Sequence, residues 1–218
     1  MLHGAGVYFF AVESTLLGHP LLFNPPDRAL VLSVDEKSQI QALDSTQPGL
    51  PMKKGYAGTM THDYKRHGTT TLFAALNVLN GKVISTCMKK HRQDEFLKFL
   101  NKIDRETPKV LYLHLIVDNY GAHKTARVQS WLKRHPRFNM HFTPTSSSWL
   151  NMVERFFSEL TTKRVRRGVF KSVAELERAI MDFIEKHNEK PKIFTWAKDA
   201  ETILAKVSKC KELLGTGH

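Results

Sequence analysis

The chain has 218 residues, 41% hydrophobic and 25% charged, proportions that suit one sizeable globular domain, with room for a small appendage. Its net charge of +12 and pI near 9.7 point to a polyanionic partner, nucleic acid before an anionic membrane surface. A membrane span is excluded because no apolar run approaches the roughly 20 residues it needs; residues 5–12 are apolar but short and lack the basic lead of a signal peptide.

Residues 1–27 read as an irregular leader and linker, ending in a Pro-Pro pair that bars helix. "LVLSVDEKSQ" follows as a β-branched strand that the acids Asp35 and Glu36 bring to an end. Residues 44–68, rich in Gly, Pro, Thr and Lys, read as a long functional loop or extended arm. Residues 69–79 form a strand, Asn80-Gly81 is a tight hairpin signal, and "KVISTCM" is the antiparallel return. A helix over 92–106 puts Phe96, Phe99, Leu100 and Ile103 on one face. "KVLYLHLIVD" is apolar almost throughout, as a central strand buried on both faces would be. A helix from about 123 to 134 carries Val128, Trp131 and Leu132, and "RFNMHFTP" is a short strand. Ser146, Ser147 and Ser148 supply cap chemistry for a helix over about 148–166, with Trp149, Met152, Val153, Phe156 and Leu160 as its apolar face. Ser172 and Glu175 are spaced as a capping box for the next helix, whose stripe is Leu176, Ile180 and Phe183. The order defines an α/β domain with a mixed sheet and helices packed on it. A catalytic domain is expected over 28–207, with a tail at 208–218.

The two cysteines, Cys87 and Cys210, give neither a disulfide framework nor a thiolate metal site. No zinc spacing appears among the histidines, so a reducing cytoplasmic setting is expected.

Three acids stand where a core would not place them. Asp35 and Asp118 each follow an apolar strand, and Glu154 lies in the first turns of the helix after "TPTSSSWLN". If the two strands are parallel neighbours, Asp35 and Asp118 emerge side by side, within reach of Glu154. Converging carboxylates repel one another, and a divalent cation such as Mg²⁺ relieves that. Each acid also has a plainer reading: a strand-end acid, an Asx turn and helix cap, or a carboxylate complementing a helix dipole.

The combination of "LSVDEKSQIQALD", "GTMTHDYKRHGTTTLFAAL", "HLIVDNYGAHKT" and "FTPTSSSWLNMVERFFSELTTKRVRRGVF" resembles the DDE domain of IS630-type insertion-sequence transposases, within the Tc1/mariner superfamily. The resemblance covers about residues 22–207, and 35 residues separate Asp118 from Glu154, close to the spacing of that superfamily. It implies an RNase H-like mixed sheet with helices on both faces. It implies a catalytic triad of Asp35, Asp118 and Glu154 holding two Mg²⁺ or Mn²⁺ ions. It also implies cleavage at transposon ends followed by attack of the freed 3′-OH on target DNA, typically at TA, by a homodimer working at the bacterial nucleoid. Asn119, His123 and Asn151 are expected to orient DNA or a water beside the metals; for His123 an ordinary surface-helix residue is the alternative. Members usually carry N-terminal helix-turn-helix readers, and residues 1–21 are too short to be one. The expectation is therefore a catalytic domain without its specificity module.

Basic residues support a DNA substrate. Lys163, Arg164, Arg166 and Arg167 continue the helix that bears Glu154, where they suit phosphate contacts, although cations also favour a helix C-terminus. Lys65 and Arg66, in the segment "KKGYAGTMTHDYKRHG", suit DNA or a partner subunit, and Lys124 lies beside the second acid. Two other readings remain: an inactive DNA-binding remnant, and another RNase H-like nuclease such as a junction resolvase or hybrid nuclease.

Overall fold

The computed structural model describes residues 28–45, 64–143 and 152–193. The leader, the segment 46–63, the serine cap with Trp149 and Asn151, and everything after 193 lie outside the described residues.

Five strands form one mixed sheet: β1 (Ala29–Ser45), β2 (Tyr64–Asn77), β3 (Val83–Met88), β4 (Tyr112–Val117) and β5 (Phe138–Phe142). Their order is β3-β2-β1-β4-β5. The β3/β2 and β2/β1 pairs are antiparallel, and the β1/β4 and β4/β5 pairs are parallel. Between them run α1 (Gln93–Glu106), a 3-10 turn (Gly121–Lys124), α2 (Ala126–Arg134), α3 (Met152–Leu160), a π turn (Thr161–Val165) and α4 (Val173–Glu189).

Strand alternation sorts the core onto two faces. Val31, Leu72, Ala74 and Ile116 pack against Val153 and Phe156 of α3 and Leu176 and Ile180 of α4. Leu32, Val34, Phe73, Leu115 and Val117 pack against Phe96, Phe99 and Ile103 of α1 and Val128 and Trp131 of α2. The sheet is thus covered on both sides, as the parallel half of a mixed sheet requires.

Asp35 does not end the first strand. β1 runs on to Ser45 because β2 keeps pairing with it as a two-stranded antiparallel ribbon. Two irregularities bend that ribbon, between Lys37 and Ile40 and between Gln41 and Leu43. Gln39 (φ 53°) sits in the first and Gly68 (φ 110°) faces the second, each supplying the left-handed backbone that a bulge uses. The expected 44–68 loop is correspondingly shorter, since Tyr64–Gly68 belongs to β2. The hairpin is real, but its loop spans residues 78–82 rather than two residues. Val78 is buried and its N–H donates to Val31 O (3.1 Å), extending the β1/β2 pairing past Asn77, while Asn77 N–H donates to Lys82 O (2.8 Å) and closes the wider turn. Gly81 has φ 73°, and a Cβ there would lie 2.3 Å from Lys192 O, so glycine is required on two counts. The helix expected from 123 is split at Thr125, whose hydroxyl accepts from Val128 N–H and caps α2. At α4, Ser172 accepts from Glu175 N–H (3.2 Å), while the Glu175 carboxylate takes Lys171 N–H (2.9 Å), one residue earlier than a regular capping box.

Arg137 fastens the end of the sheet opposite the acids. Its guanidinium donates to Asp104 Oδ1 (2.9 Å), Asp104 O (2.9 Å), Thr107 Oγ1 (2.7 Å), Pro108 O (2.8 Å) and Leu111 O (3.2 Å). One side chain thereby ties the end of α1 and the entry to β4 to the start of β5. Arg137→Ala is expected to cost about 3 kcal/mol, because half-buried acceptors lose charged donors. Arg137→Lys should recover less than half of it, because an ammonium cannot reproduce the planar fork. The urea midpoint at constant slope measures both.

Candidate active site

β1 and β4 pair in parallel from Ala29↔Tyr112 to Ser33↔Ile116. The same offset carried two residues further sets Asp35 beside Asp118, on the side of the sheet that bears α3. There the Ser33 hydroxyl, fully buried, accepts from Val153 N–H (3.0 Å). This bond docks the first turn of α3 on β1, with Glu154 near enough for its charge to act on Asp35. The side chain of Glu154 is itself exposed.

Asp35 is 9% exposed. Burial pushes its carboxyl up to about 7; the bond from Glu36 N–H (2.7 Å) pulls it down, and the carboxylates of Glu36, Asp118 and Glu154 raise it further. Asp118 titrates below its ordinary value. Burial works against that, but His123, Tyr120 N–H and Lys124 outweigh it.

His123 is 1% exposed, so the surface-residue alternative is excluded. Its Nδ1 lies 3.0 Å from Asp118 Oδ1 and its Nε2 3.3 Å from Glu36 Oε2. The ring packs on Phe96 with centroids 4.2 Å apart. Burial alone would lower its pKa, yet the two carboxylates raise it to about 9. An imidazolium therefore bridges Asp118 to the opposite face of the sheet, where Glu36 points because it alternates with Asp35.

The sequence signals did not single out Glu36 or Ser33. An acid directly after Asp35 in a strand faces the other side and needs a cation there, and that local signal was available. Asn119 is exposed and its Oδ1 accepts from the Lys124 ammonium, which also sits 4.6 Å over the Phe142 ring. Lys65 and Arg66 are exposed on the β1–β2 ribbon. Lys163 pairs with Glu159 and Arg164 lies 5.8 Å from the Phe170 ring centre, while Arg166 and Arg167 are exposed. This cluster begins roughly 14 Å along the helix from Glu154 by helical rise. The π turn that carries it is closed by Arg166 N–H donating to Thr161 O (2.9 Å). It is not part of the carboxylate cluster.

The donor chemistry suits a hard divalent cation: carboxylates close enough for Asp118 and Glu154 to raise the pKa of Asp35, already unfavourable as an anion. Among the described residues no three His, Cys, Asp or Glu side chains stand close enough together to ligate one ion as placed. No described helix is long and apolar enough to cross a membrane.

A mixed sheet of this order, with helices on both faces and acids following the paired strands β1 and β4, defines an RNase H-like core. The profile of the family described as DDE superfamily endonuclease matches residues 30–177, and the chain belongs to that family. It is 32% identical over 114 residues to the "Insertion element IS630 uncharacterized 39 kDa protein" of Shigella sonnei, covering 52% of this chain and 33% of the relative. The match thus spans about a third of that protein. Among solved structures, the chain is similar to the crystal structure of a pre-cleavage Mos1 transpososome (TM-score 0.55, 16% identity, 91% of this chain and 57% of that one). It also matches the catalytic core domain of BIV integrase (TM-score 0.46, 16% identity, 67% of this chain and 93% of that one).

Proposed function

We propose that this chain is a transposase catalytic domain that cleaves DNA at transposon ends and joins the freed 3′-OH to target DNA. The observation that carries the reading is the parallel pairing of β1 with β4, whose register, carried two residues on, puts Asp35 beside Asp118, with the charges of Asp118 and Glu154 both felt at Asp35. Family membership supports the reaction class, and a net charge of +12 supports a polyanionic substrate.

Asp35, Asp118 and Glu154 would hold two Mg²⁺ or Mn²⁺ ions. When bound, such ions activate a water or hydroxyl nucleophile and stabilise the leaving oxygen of an in-line phosphoryl transfer. The chain's own residues supply the rest. His123 keeps the Asp118 carboxylate ionised and fixes its direction through the anchor on Glu36. Asn119 and Asn151 orient the DNA strand or a water beside the acids. Lys65, Arg66, Lys124, Lys163, Arg164, Arg166 and Arg167 hold phosphates without reading sequence. Joining two element ends implies a homodimer, and the substrate implies work at the nucleoid.

The test is nicking of supercoiled plasmid at low salt with Mn²⁺ or Mg²⁺, followed by strand transfer of a pre-nicked oligonucleotide. The wild-type chain is expected to nick and join. Because its contacts are to phosphates, affinity should fall about 10³-fold between 50 and 200 mM salt if about six phosphates are contacted. Cleavage of an RNA–DNA hybrid without strand transfer would replace this reading with a hybrid nuclease. DNA binding with neither reaction would favour the inactive remnant.

A further inference from the structure

One aromatic side chain beside the acids has no part in the chemistry above. Tyr120 lies two residues after Asp118, and its N–H donates to Asp118 Oδ1 (3.2 Å). It is 43% exposed. Its ring meets the locked His123 ring edge-to-face (5.7 Å, 82°), and on another side it has the His91 ring at 6.4 Å. It is therefore held at its base while much of its surface is open to solvent. His91 belongs to the β3–α1 connection, where Lys89, Lys90 and Arg92 are exposed. None of those three cations is in an ion pair among the described residues, whereas the nearby Asp94 is taken by Arg127. Lys124 adds a further charge four residues after Tyr120.

An open aromatic ring next to His91, in a connection whose Lys89, Lys90 and Arg92 are exposed, fits a nucleobase joined to its phosphates. A base inside a duplex has both faces covered by its neighbours, so the ring can stack only on one that is unpaired or turned out. We propose that Tyr120, flanked by His91 and the Lys89–Lys90–Arg92 connection, is a stacking platform for an unpaired base next to the scissile phosphate. This rests on the DNA-cleaving reading and adds a structural preference to it. The preferred substrate is duplex with a frayed or flipped base at the reacting position, which no cluster of phosphate contacts would select.

The probe is a forked DNA with one unpaired 2-aminopurine at the junction, compared with a blunt duplex of equal length, at low salt in EDTA so that nothing is cut. Wild type is expected to bind the fork more tightly and to quench 2-aminopurine. In Tyr120→Ala the preference for the fork should fall about tenfold and quenching should disappear, while Tyr120→Phe and Tyr120→Trp keep both. Circular dichroism confirms the fold of each variant. The platform is overturned if Tyr120→Ala keeps the wild-type ratio of fork to duplex affinity. It is equally overturned if wild type binds duplex but shows no preference for the fork, or if Tyr120→Ala instead shifts the sedimentation coefficient, marking a subunit contact. Wild type that binds neither DNA fails at the level of the DNA-cleaving reading itself, which the plasmid assay reports separately.

Discussion

Replacing either Asp118 or Glu154 with Ala is expected to cut plasmid nicking by roughly 10³-fold or more, because on the proposed reading these carboxylates would hold the catalytic cation. DNA affinity should change only a few-fold, since neither side chain carries the positive surface. The two variants separate the acids by environment. Glu154 is exposed on the first turn of α3, so its removal should leave thermal stability nearly unchanged. Asp118 is one of two anchors of His123. Its removal leaves a buried imidazole with Glu36 alone, so some stability should be lost with the activity. His123→Ala should fall between wild type and Asp118→Ala, about 10- to 100-fold down, the usual cost of removing a group that orients a ligand without touching the metal. Nicking that survives in one of the carboxylate variants would take that residue out of the site, whatever its position in the fold.

How much of this was legible depended on how far apart the cooperating residues lie. The apolar stripe of α1 and the Asn80-Gly81 turn are written within a few residues; the helix forms where its stripe is and the hairpin where its turn is, although its loop widens to residues 78–82. The parallel pairing of β1 with β4 was conditional in the sequence, yet the pairing of two apolar strands, each followed by an acid, was a readable prospect. The length of β1 was not readable. "DEKSQ" looks like the end of a strand because its polarity breaks the apolar run. The chain continues because β2 pairs with it across a bulge at Gln39, whose left-handed backbone has no strong local signal in a glutamine. The burial of His123 was equally hidden. It depends on Glu36, 87 positions earlier in the sequence, and on Phe96 of α1, while His123 by itself reads equally well as a surface-helix residue. The five-bonded Arg137 shows the same limit, since its acceptors come from the α1–β4 region and only the fold assembles them.

Asp35→Asn is expected to make the metal-free protein more stable at pH 8 while abolishing nicking. In the folded protein Asp35 holds its proton up to about pH 7, against an ordinary value of 3.8. Between those limits the folded state binds more protons than the unfolded chain, so stability falls as pH rises, and the full cost persists above pH 7. That cost is on the order of 4 kcal/mol, taking 1.36 kcal/mol for each pH unit of difference. His123 adds to the alkaline loss. The stability contributed by its charge is complete below its ordinary value of 6.5 and is lost as pH rises through about 9. Asparagine keeps an acceptor for Glu36 N–H but carries no charge. It should raise Tm at pH 8 by roughly 8–16 °C for a chain of this size, with the two curves meeting near pH 4. Mn²⁺ should raise the Tm of wild type at pH 8, by binding only the folded state, and leave that of Asp35→Asn almost unmoved. On the proposed reading, stability is given up at Asp35 in the metal-free protein and would be recovered by a bound cation. Coincident melting curves for the two proteins across pH 4–8 would mean that the Asp35 carboxylate is comfortable as an anion, and the electrostatic ground for a cation at this junction would be gone.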